Sequence, residues 1–172
     1  MIDPSSAQTF LRSLFGHELL AGPNASAPFH IGVSAFPPKH GKHAWHTSPD
    51  DAAAWAMGEA GANNVYFRTT PVRHRPEKGR GDATVASALV GFHADIDIAH
   101  EVHTKTNLPP DEAAAREVLK LVGLPPTILV HSGHGLQAHW LFKEPWIFGE
   151  GDLERATELV KRFGATITAC AM

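Results

Sequence analysis

The chain has 172 residues, of which 43% are hydrophobic and 19% are charged, and these proportions are typical of a globular domain with a core of its own. No apolar stretch is long enough to span a membrane and no signal peptide is visible, so we expect a cytoplasmic protein without a membrane partner. The single cysteine, Cys170, excludes an internal disulfide. The formal net charge of -3 excludes an overall basic character, so any nucleic-acid contact must use a local patch.

The first half of the chain is predicted to alternate helices and strands. Apolar residues at helical spacing predict a helix over residues 7–20, and an apolar run predicts a strand over residues 28–36. Ser48, followed by a proline and two acids, predicts the start of a second helix that stops near Gly61. A second strand is predicted over residues 64–70, and a loop follows it.

The second half of the chain has the element order of a split β-α-β unit. A strand within residues 85–98 carries two acids, and the next helix should end at Gly123. Strands over residues 126–132 and 136–142 follow, joined by a tight glycine-rich turn. A last helix is predicted from Asp152 through Phe163. Strand, helix, strand, strand, helix is the order of a ferredoxin-like unit that lacks its last strand.

These elements predict an α+β fold in a single domain over residues 1–172. An N-terminal α/β module should span roughly residues 1–84, and an incomplete RRM-like (ferredoxin-like) module roughly residues 85–172. Since no closing strand precedes Met172, we expect a truncated chain. Its open sheet edge would favour a homo-oligomer, because unpaired strand edges pair readily with another chain.

Asp95 and Asp97 lie two residues apart within an apolar run that predicts a strand. Residues two apart on a strand point to the same face, so both carboxylates should project together. Two neighbouring like charges in apolar surroundings are costly unless a cation neutralises them. A hard divalent cation with oxygen ligands, Mg²⁺ or Mn²⁺, fits this pair. The alternative is structural: the acids cap a helix or pair with arginines.

The turn at Gly133-His134-Gly135 and its flanking residues form a second candidate site. Exposed N–H groups in a glycine-rich turn can form an anion-binding nest. Ser132, Gln137 and His139 add polar side chains, and alternation along the strand places Gln137 and His139 on one face. The alternative is a plain hairpin with glycine in its turn.

The segment over residues 68–81 is a third candidate, which we call the basic loop. It carries five basic residues, Arg68, Arg73, Arg75, Lys78 and Arg80, against one acid. Arginine makes paired hydrogen bonds to phosphate, so the loop is a candidate clamp for a triphosphate or a nucleic-acid backbone. Its alternative is a solvated charged loop, which is the usual role of such a run.

Twelve histidines suggest zinc, but the spacing of their clusters does not favour it. The clusters are His40, His43 and His46; His93, His100 and His103; and His131, His134 and His139. A closed zinc site usually takes four Cys or His ligands at tight spacing. The sequence also lacks a P-loop and a dinucleotide-binding G-x-G-x-x-G after a strand, which excludes a P-loop nucleotidase and a Rossmann-type dinucleotide-binding domain.

Taken together, these motifs resemble the archaeo-eukaryotic primase superfamily, and in particular the primase-polymerase domains of phage and plasmid replication proteins. The matching segments are Asn64-Val65-Tyr66-Phe67-Arg68, Gly79-Arg80-Gly81, Ala94-Asp95-Ile96-Asp97 and Ser132-Gly133-His134-Gly135-Leu136-Gln137-Ala138-His139-Trp140. The resemblance extends over residues 28–165.

The resemblance implies a primase-polymerase core and a DNA primase or polymerase activity. Such a nucleotidyltransferase uses nucleoside triphosphates, a single-stranded DNA template and two divalent ions, and a helicase domain usually accompanies it in the full-length protein. Asp95 and Asp97 would be the catalytic metal ligands. The nucleotide-binding residues would be Arg80, Ser132, His134, Gln137 and His139, and the template-binding residues Arg68, Arg73, Arg75 and Lys78.

Two departures from the family pattern leave other functions open. Gln137 stands where the family has a histidine that meets the nucleotide phosphates. The family's third metal-binding acid, expected after the last helix, is absent, and Glu101, just after the acid-bearing strand, is a candidate to complete the site. One alternative is a non-catalytic nucleic-acid binding module. Another is a replication-initiator endonuclease, but that chemistry needs a His-hydrophobe-His pair and a tyrosine nucleophile, and the only tyrosine is Tyr66 in an apolar strand.

Overall fold

A computed structural model describes residues 4–21, 28–36, 41–99 and 108–171. The chain divides into two compact units, Met1–Val90 with Lys143–Leu153, and Gly91–Phe142 with Glu154–Met172. The division predicted from the sequence differs in that the segment Lys143–Leu153 returns to the first unit. Within the described ranges, no helix has the length and apolar character needed to cross a membrane.

The first unit begins with a helix that is interrupted where the sequence predicts one continuous helix over residues 7–20. Helix α1 is Pro4–Phe15, and a short helix α2 is Glu18–Ala21. Between them, His17 starts the second helix, because its Nδ1 accepts a hydrogen bond from the Leu19 N–H at 3.2 Å. A capping side chain of this kind favours a new helix start over continuation.

Helix α3, Pro49–Glu59, confirms the helix start predicted at Ser48. The Ser48 hydroxyl accepts hydrogen bonds from the N–H groups of Asp50 and Asp51, and Pro49 occupies the first helical position, where its missing N–H costs nothing. The Asp50 carboxylate also accepts from Arg12 of α1 at 2.6 Å. This bond lowers the pKa of Asp50 and raises that of Arg12.

The first sheet has three antiparallel strands, β1 (Ile31–Phe36), β2 (Lys42–His46) and β3 (Asn64–Phe67), in the order β2-β1-β3. The sequence did not predict β2, and it extended β3 too far. Val33 is paired with Phe67, whose ring contacts two phenylalanines of α1, so this face packs against the helices.

The second sheet consists of β4 (Ala88–Asp97), β5 (Ile128–His131) and β6 (Gly135–Ile147), in the order β4-β6-β5. Strand β6 therefore lies between β4 and β5, and helix α4, Glu112–Leu121, follows β4 in the chain and precedes β5. This is the split β-α-β arrangement, and it confirms the α+β class and the predicted element order. A 3-10 turn, Ala83–Val85, precedes the sheet.

One face of the second sheet forms the core of the second unit with α4 and the last helix, α5 (Asp152–Cys170). Its buried members come from β4, β6 and both helices: Ile96, Ala115, Val118, Leu119, Leu136, Ala138, Trp140 and Ile167. The sequence predicted that α5 ends at Phe163. It continues because Ile167, 8% exposed, packs into this core, and burial of an apolar side chain outweighs the low helix propensity of its neighbours.

Candidate metal and nucleotide site

Asp95 and Asp97 lie on the face of β4 opposite to the helical core. Ile96 between them is buried in that core, and side chains alternate along a strand, so both carboxylates point away from the helices. Asp95 is exposed and Asp97 is partly buried. The sequence predicted a pair within a buried sheet. Because the pair is partly solvated, the charge repulsion on one face is the stronger reason for a cation, and the desolvation cost is the weaker one.

Strand β6 supplies the neighbours of the two acids. Gly135 lies so close to the other strand that a Cβ there would meet the backbone carbonyl oxygen of Ile96. Further along, the rings of His93 and His139 stack with centroids 6.2 Å apart. The two contacts bracket Asp95 on one strand and Gln137 on the other. The face therefore carries two carboxylates, an amide and two imidazoles, of which that of His139 is buried.

The glycine-rich hairpin uses several of its donors internally. The Ser132 hydroxyl donates to the Gly135 carbonyl at 3.1 Å, and the Ser132 N–H donates to the same oxygen at 2.9 Å. The Gly133 N–H donates to Nδ1 of His131 at 3.2 Å. These contacts support the plain-hairpin interpretation for Ser132, and its binding of nucleotide stays a prediction.

His134 connects the hairpin to the end of the acid-bearing strand. Its carbonyl oxygen accepts a hydrogen bond from the Ile98 N–H at 3.0 Å. This bond fixes the turn beside Asp97, one residue before Ile98. The backbone of His134 therefore has a structural role, whereas the nucleotide-binding role predicted for its side chain is untested.

The two histidines of this face favour the neutral state. His139 is only 3% exposed, and burial together with the neighbouring His93 lowers its pKa to about 4. Desolvation by its neighbours also lowers the pKa of His93, against the opposing effect of Asp95, although much of the His93 side chain is solvent-accessible. A neutral imidazole can exchange hydrogen bonds with a phosphate but brings no positive charge to it.

The basic loop lies in the first unit, and Arg68 organises it. The Arg68 guanidinium donates hydrogen bonds to the carbonyl oxygens of Thr70 and Arg80, each at 3.1 Å, and of Asp82 at 2.5 Å. Burial lowers the pKa of Arg68. Both glycines around Arg80 have positive φ, 65° and 67°, a conformation that favours glycine. Arg68 therefore holds the Gly-Arg-Gly turn together.

The remaining cations of the basic loop have different surroundings. The Arg73 guanidinium lies 4.5 Å from the centre of the Phe29 ring, a cation–π contact. Arg75, Lys78 and Arg80 are exposed. The three exposed cations are the members of the loop whose positions suit a contact with phosphate.

A metal-ligand set of three or more residues is not formed within the described part of the chain. No group of three or more His, Cys, Asp or Glu side chains there is arranged to hold a metal ion. Glu101, the substitute third acid, lies outside the described residues, as do His40, His100 and His103. His93 was missed as a member of the acid face, although its spacing of two residues from Asp95 was a visible signal.

Comparison with known proteins adds no relative. No protein-family model matches the chain, and neither the curated proteins nor the solved structures show significant similarity to it.

Proposed function

We propose that this chain is the catalytic core of a primase-polymerase-type nucleotidyltransferase that joins nucleoside triphosphates on a single-stranded DNA template in phage or plasmid replication. The observation that carries the proposal is the placement of Asp95 and Asp97 on one face of β4, opposite the helical core and beside Gln137 and His139. Paired carboxylates beside neutral hydrogen-bonding groups suit a reaction in which metal charge, and not histidine charge, neutralises phosphate.

The residues of this face fit Mg²⁺ or Mn²⁺, because carboxylate oxygens are the ligands that these hard ions prefer. Asp95 and Asp97 would hold the metal. When bound, divalent ions activate an attacking hydroxyl and stabilise the charge of the leaving pyrophosphate. Gln137 would donate a hydrogen bond to a phosphate oxygen without adding charge. His139 is buried and neutral at pH 7, so it adds no charge to this face. Arg80 belongs to the first unit, and its contact with nucleotide stays a prediction.

The proposal also includes partners. The template would contact the exposed cations Arg75 and Lys78 through its backbone, since such contacts position a strand without reading its sequence. A helicase domain in the full-length protein belongs to the same proposal. Strand β4 is an outer strand of the sheet formed by the described residues, and pairing of this edge between two copies would give a homo-oligomer.

Primer extension with two isosteric variants tests the metal assignment. Asp95→Asn and Asp97→Asn each keep the side-chain volume and remove a ligand charge, so each should reduce incorporation with Mg²⁺ or Mn²⁺ by about 100-fold or more. The matched control is Glu154→Gln on the exposed surface of α5. All three variants should melt within a few degrees of the wild type. Undiminished extension by either aspartate variant would contradict the assignment.

A non-catalytic nucleic-acid binding module is the second candidate, and Gln137 favours it. This residue stands where the resembled family has a histidine. Such a module would bind single-stranded DNA but incorporate no nucleotide with either metal. Both candidates predict that the aspartate variants bind DNA as well as the wild type, so nucleotide incorporation by the wild type decides between them.

A further inference from the structure

The first unit contains a cleft of about 500 Å³ between β2 and the basic loop. The residues that line it are His43, Trp45, Arg75, Pro76, Glu77 and Gly79. Its lining combines an aromatic ring, an imidazole and both signs of charge. The cleft is independent of the acid face, because none of its residues belongs to the second sheet.

Trp45 is held in place from two sides. It is paired with Gly32 across the first sheet, and a Cβ on that glycine would come within 2.8 Å of the indole ring. The ring therefore lies against bare backbone, where a side chain of any other residue would displace it. The indole Nε1 also approaches the Gly79 carbonyl oxygen, at 3.4 Å. An aromatic ring fixed in this way loses little conformational entropy when a second ring stacks on it.

His43 lies two residues from Trp45 on the same face of β2. Its Nδ1 is 2.8 Å from the hydroxyl oxygen of Ser34, which is buried in the neighbouring strand. This hydrogen bond fixes the ring, so that Nε2 is the atom available to a ligand. Tyr66 is paired with Ser34 from the other side and is 55% exposed. The face of the first sheet opposite the helices is thus aromatic.

The charges of the cleft favour a base over a phosphate alone. Arg75 attracts a phosphate, but Glu77 repels one, so the cleft itself is not an anion site. A carboxylate accepts hydrogen bonds from exocyclic amino groups of bases. The basic loop as a whole carries five cations and one acid, a net positive charge of the kind that attracts a nucleic-acid backbone.

We propose that this cleft binds one unpaired base of a single-stranded nucleic acid, with Trp45 as the stacking surface, Arg75 on the adjacent phosphate and His43 at the edge of the base. The proposal rests on the nucleic-acid partner of the proposed function, but it needs neither metal nor nucleotide. Stacking on an aromatic side chain accepts any base, so the cleft would anchor a strand without reading its sequence.

Fluorescence anisotropy with a labelled DNA single strand of about 12 nucleotides tests this proposal on the whole chain, without divalent metal. Trp45→Leu should weaken binding by about 5- to 150-fold, the range measured for one stacked base. Trp45→Phe should restore most of the affinity because it keeps an aromatic ring. The matched control is Trp55→Leu on α3, whose ring lies beside His46 on the opposite face of β2 and should not affect binding.

An abasic strand of the same length provides a second measurement that needs no variant. The wild type should bind it as weakly as Trp45→Leu binds the normal strand, and a ribose strand should bind like the deoxyribose strand. Equal affinity for abasic and normal DNA, or unchanged affinity in Trp45→Leu, would overturn the proposal that the cleft binds a base, and it would not contradict the proposed function. A wild type that binds no single strand would overturn the nucleic-acid partner itself.

Discussion

Replacing Arg68 with alanine should open the Gly-Arg-Gly turn of the basic loop. The guanidinium donates to three backbone carbonyls within 3.1 Å and to a fourth, that of Gly81, at 3.5 Å. Hydrogen bonds from a charged donor contribute about 1.5–3 kcal/mol each when they are buried. Arg68 is only partly buried and water replaces part of what is lost, so we expect the turn to be destabilised by roughly 2–3 kcal/mol. One of these acceptors is the carbonyl of Arg80, which belongs to the peptide bond that trypsin cleaves after that residue.

Limited tryptic digestion followed by mass spectrometry measures this opening. If local opening precedes cleavage, the rate of cleavage after Arg80 should rise by roughly 30- to 150-fold in Arg68→Ala. Arg68→Lys should be cleaved at a rate between those of the wild type and Arg68→Ala, because one ammonium cannot reach all of these carbonyls. Arg75→Ala removes an exposed cation of the same loop and serves as the control. If Arg68→Ala were cleaved no faster than this control, Arg68 would not hold the turn, and its predicted role in nucleic-acid binding would gain support.

Three further predictions concern the loop, the hairpin and the buried histidine. Arg75→Ala should weaken binding of single-stranded DNA and reduce the slope of log affinity against log salt concentration by about 1. Arg80→Ala should weaken nucleotide binding more than DNA binding, and equal effects of both variants on both ligands would indicate a diffuse charge patch. Gly135→Ala should destabilise the fold by about 1–3 kcal/mol in urea denaturation, because its Cβ meets a neighbouring backbone carbonyl, and Gly164→Ala, which meets open space, should not. In the folded chain the pKa of His139 is lowered to about 4, whereas in the unfolded chain it has its ordinary value of about 6.5. Between these two pH values the unfolded chain takes up a proton that the folded chain does not, so the free energy of unfolding falls as the pH drops. Between pH 7 and 5 the free energy of unfolding of the wild type should fall by about 2 kcal/mol more than that of His139→Gln. Identical dependence of stability on pH in the two proteins would contradict the burial argument.

Local signals in the sequence determined the helices that have explicit start and stop residues. Ser48 caps α3 as predicted, and Asp111 caps α4 by accepting from the Ala114 N–H at 2.8 Å. Gly123, with φ of 76°, lies just beyond the end of α4, where glycine is favoured. These features depend on hydrogen bonds between residues that are close in the chain, so a sequence pattern is sufficient to predict them.

For the candidate site, short segments of the sequence were sufficient to predict which side chains share a face within each strand. Alternation along a strand placed Asp95 and Asp97 on one face, and Gln137 and His139 on one face of the next candidate strand. Whether those faces coincide depends on strand order and register. Strand β6 lies next to β4, and the rings of His93 and His139 stack, so the two faces coincide. Both observations join residues that are far apart in the sequence.

Tertiary structure alone decided the features that depend on distant partners. Strand β2 has a weak apolar pattern and forms because its backbone pairs with β1. Helix α5 continues past Phe163 because Ile167 packs into the core of the second unit. Arg68, which the sequence grouped with the other cations of the loop, differs from them because its guanidinium donates to four backbone carbonyl oxygens. Helix capping and side-chain alternation depend on short segments of the chain, so the sequence predicts them. Strand pairing, burial and the hydrogen-bond partners of a charged side chain depend on which segments the fold brings together.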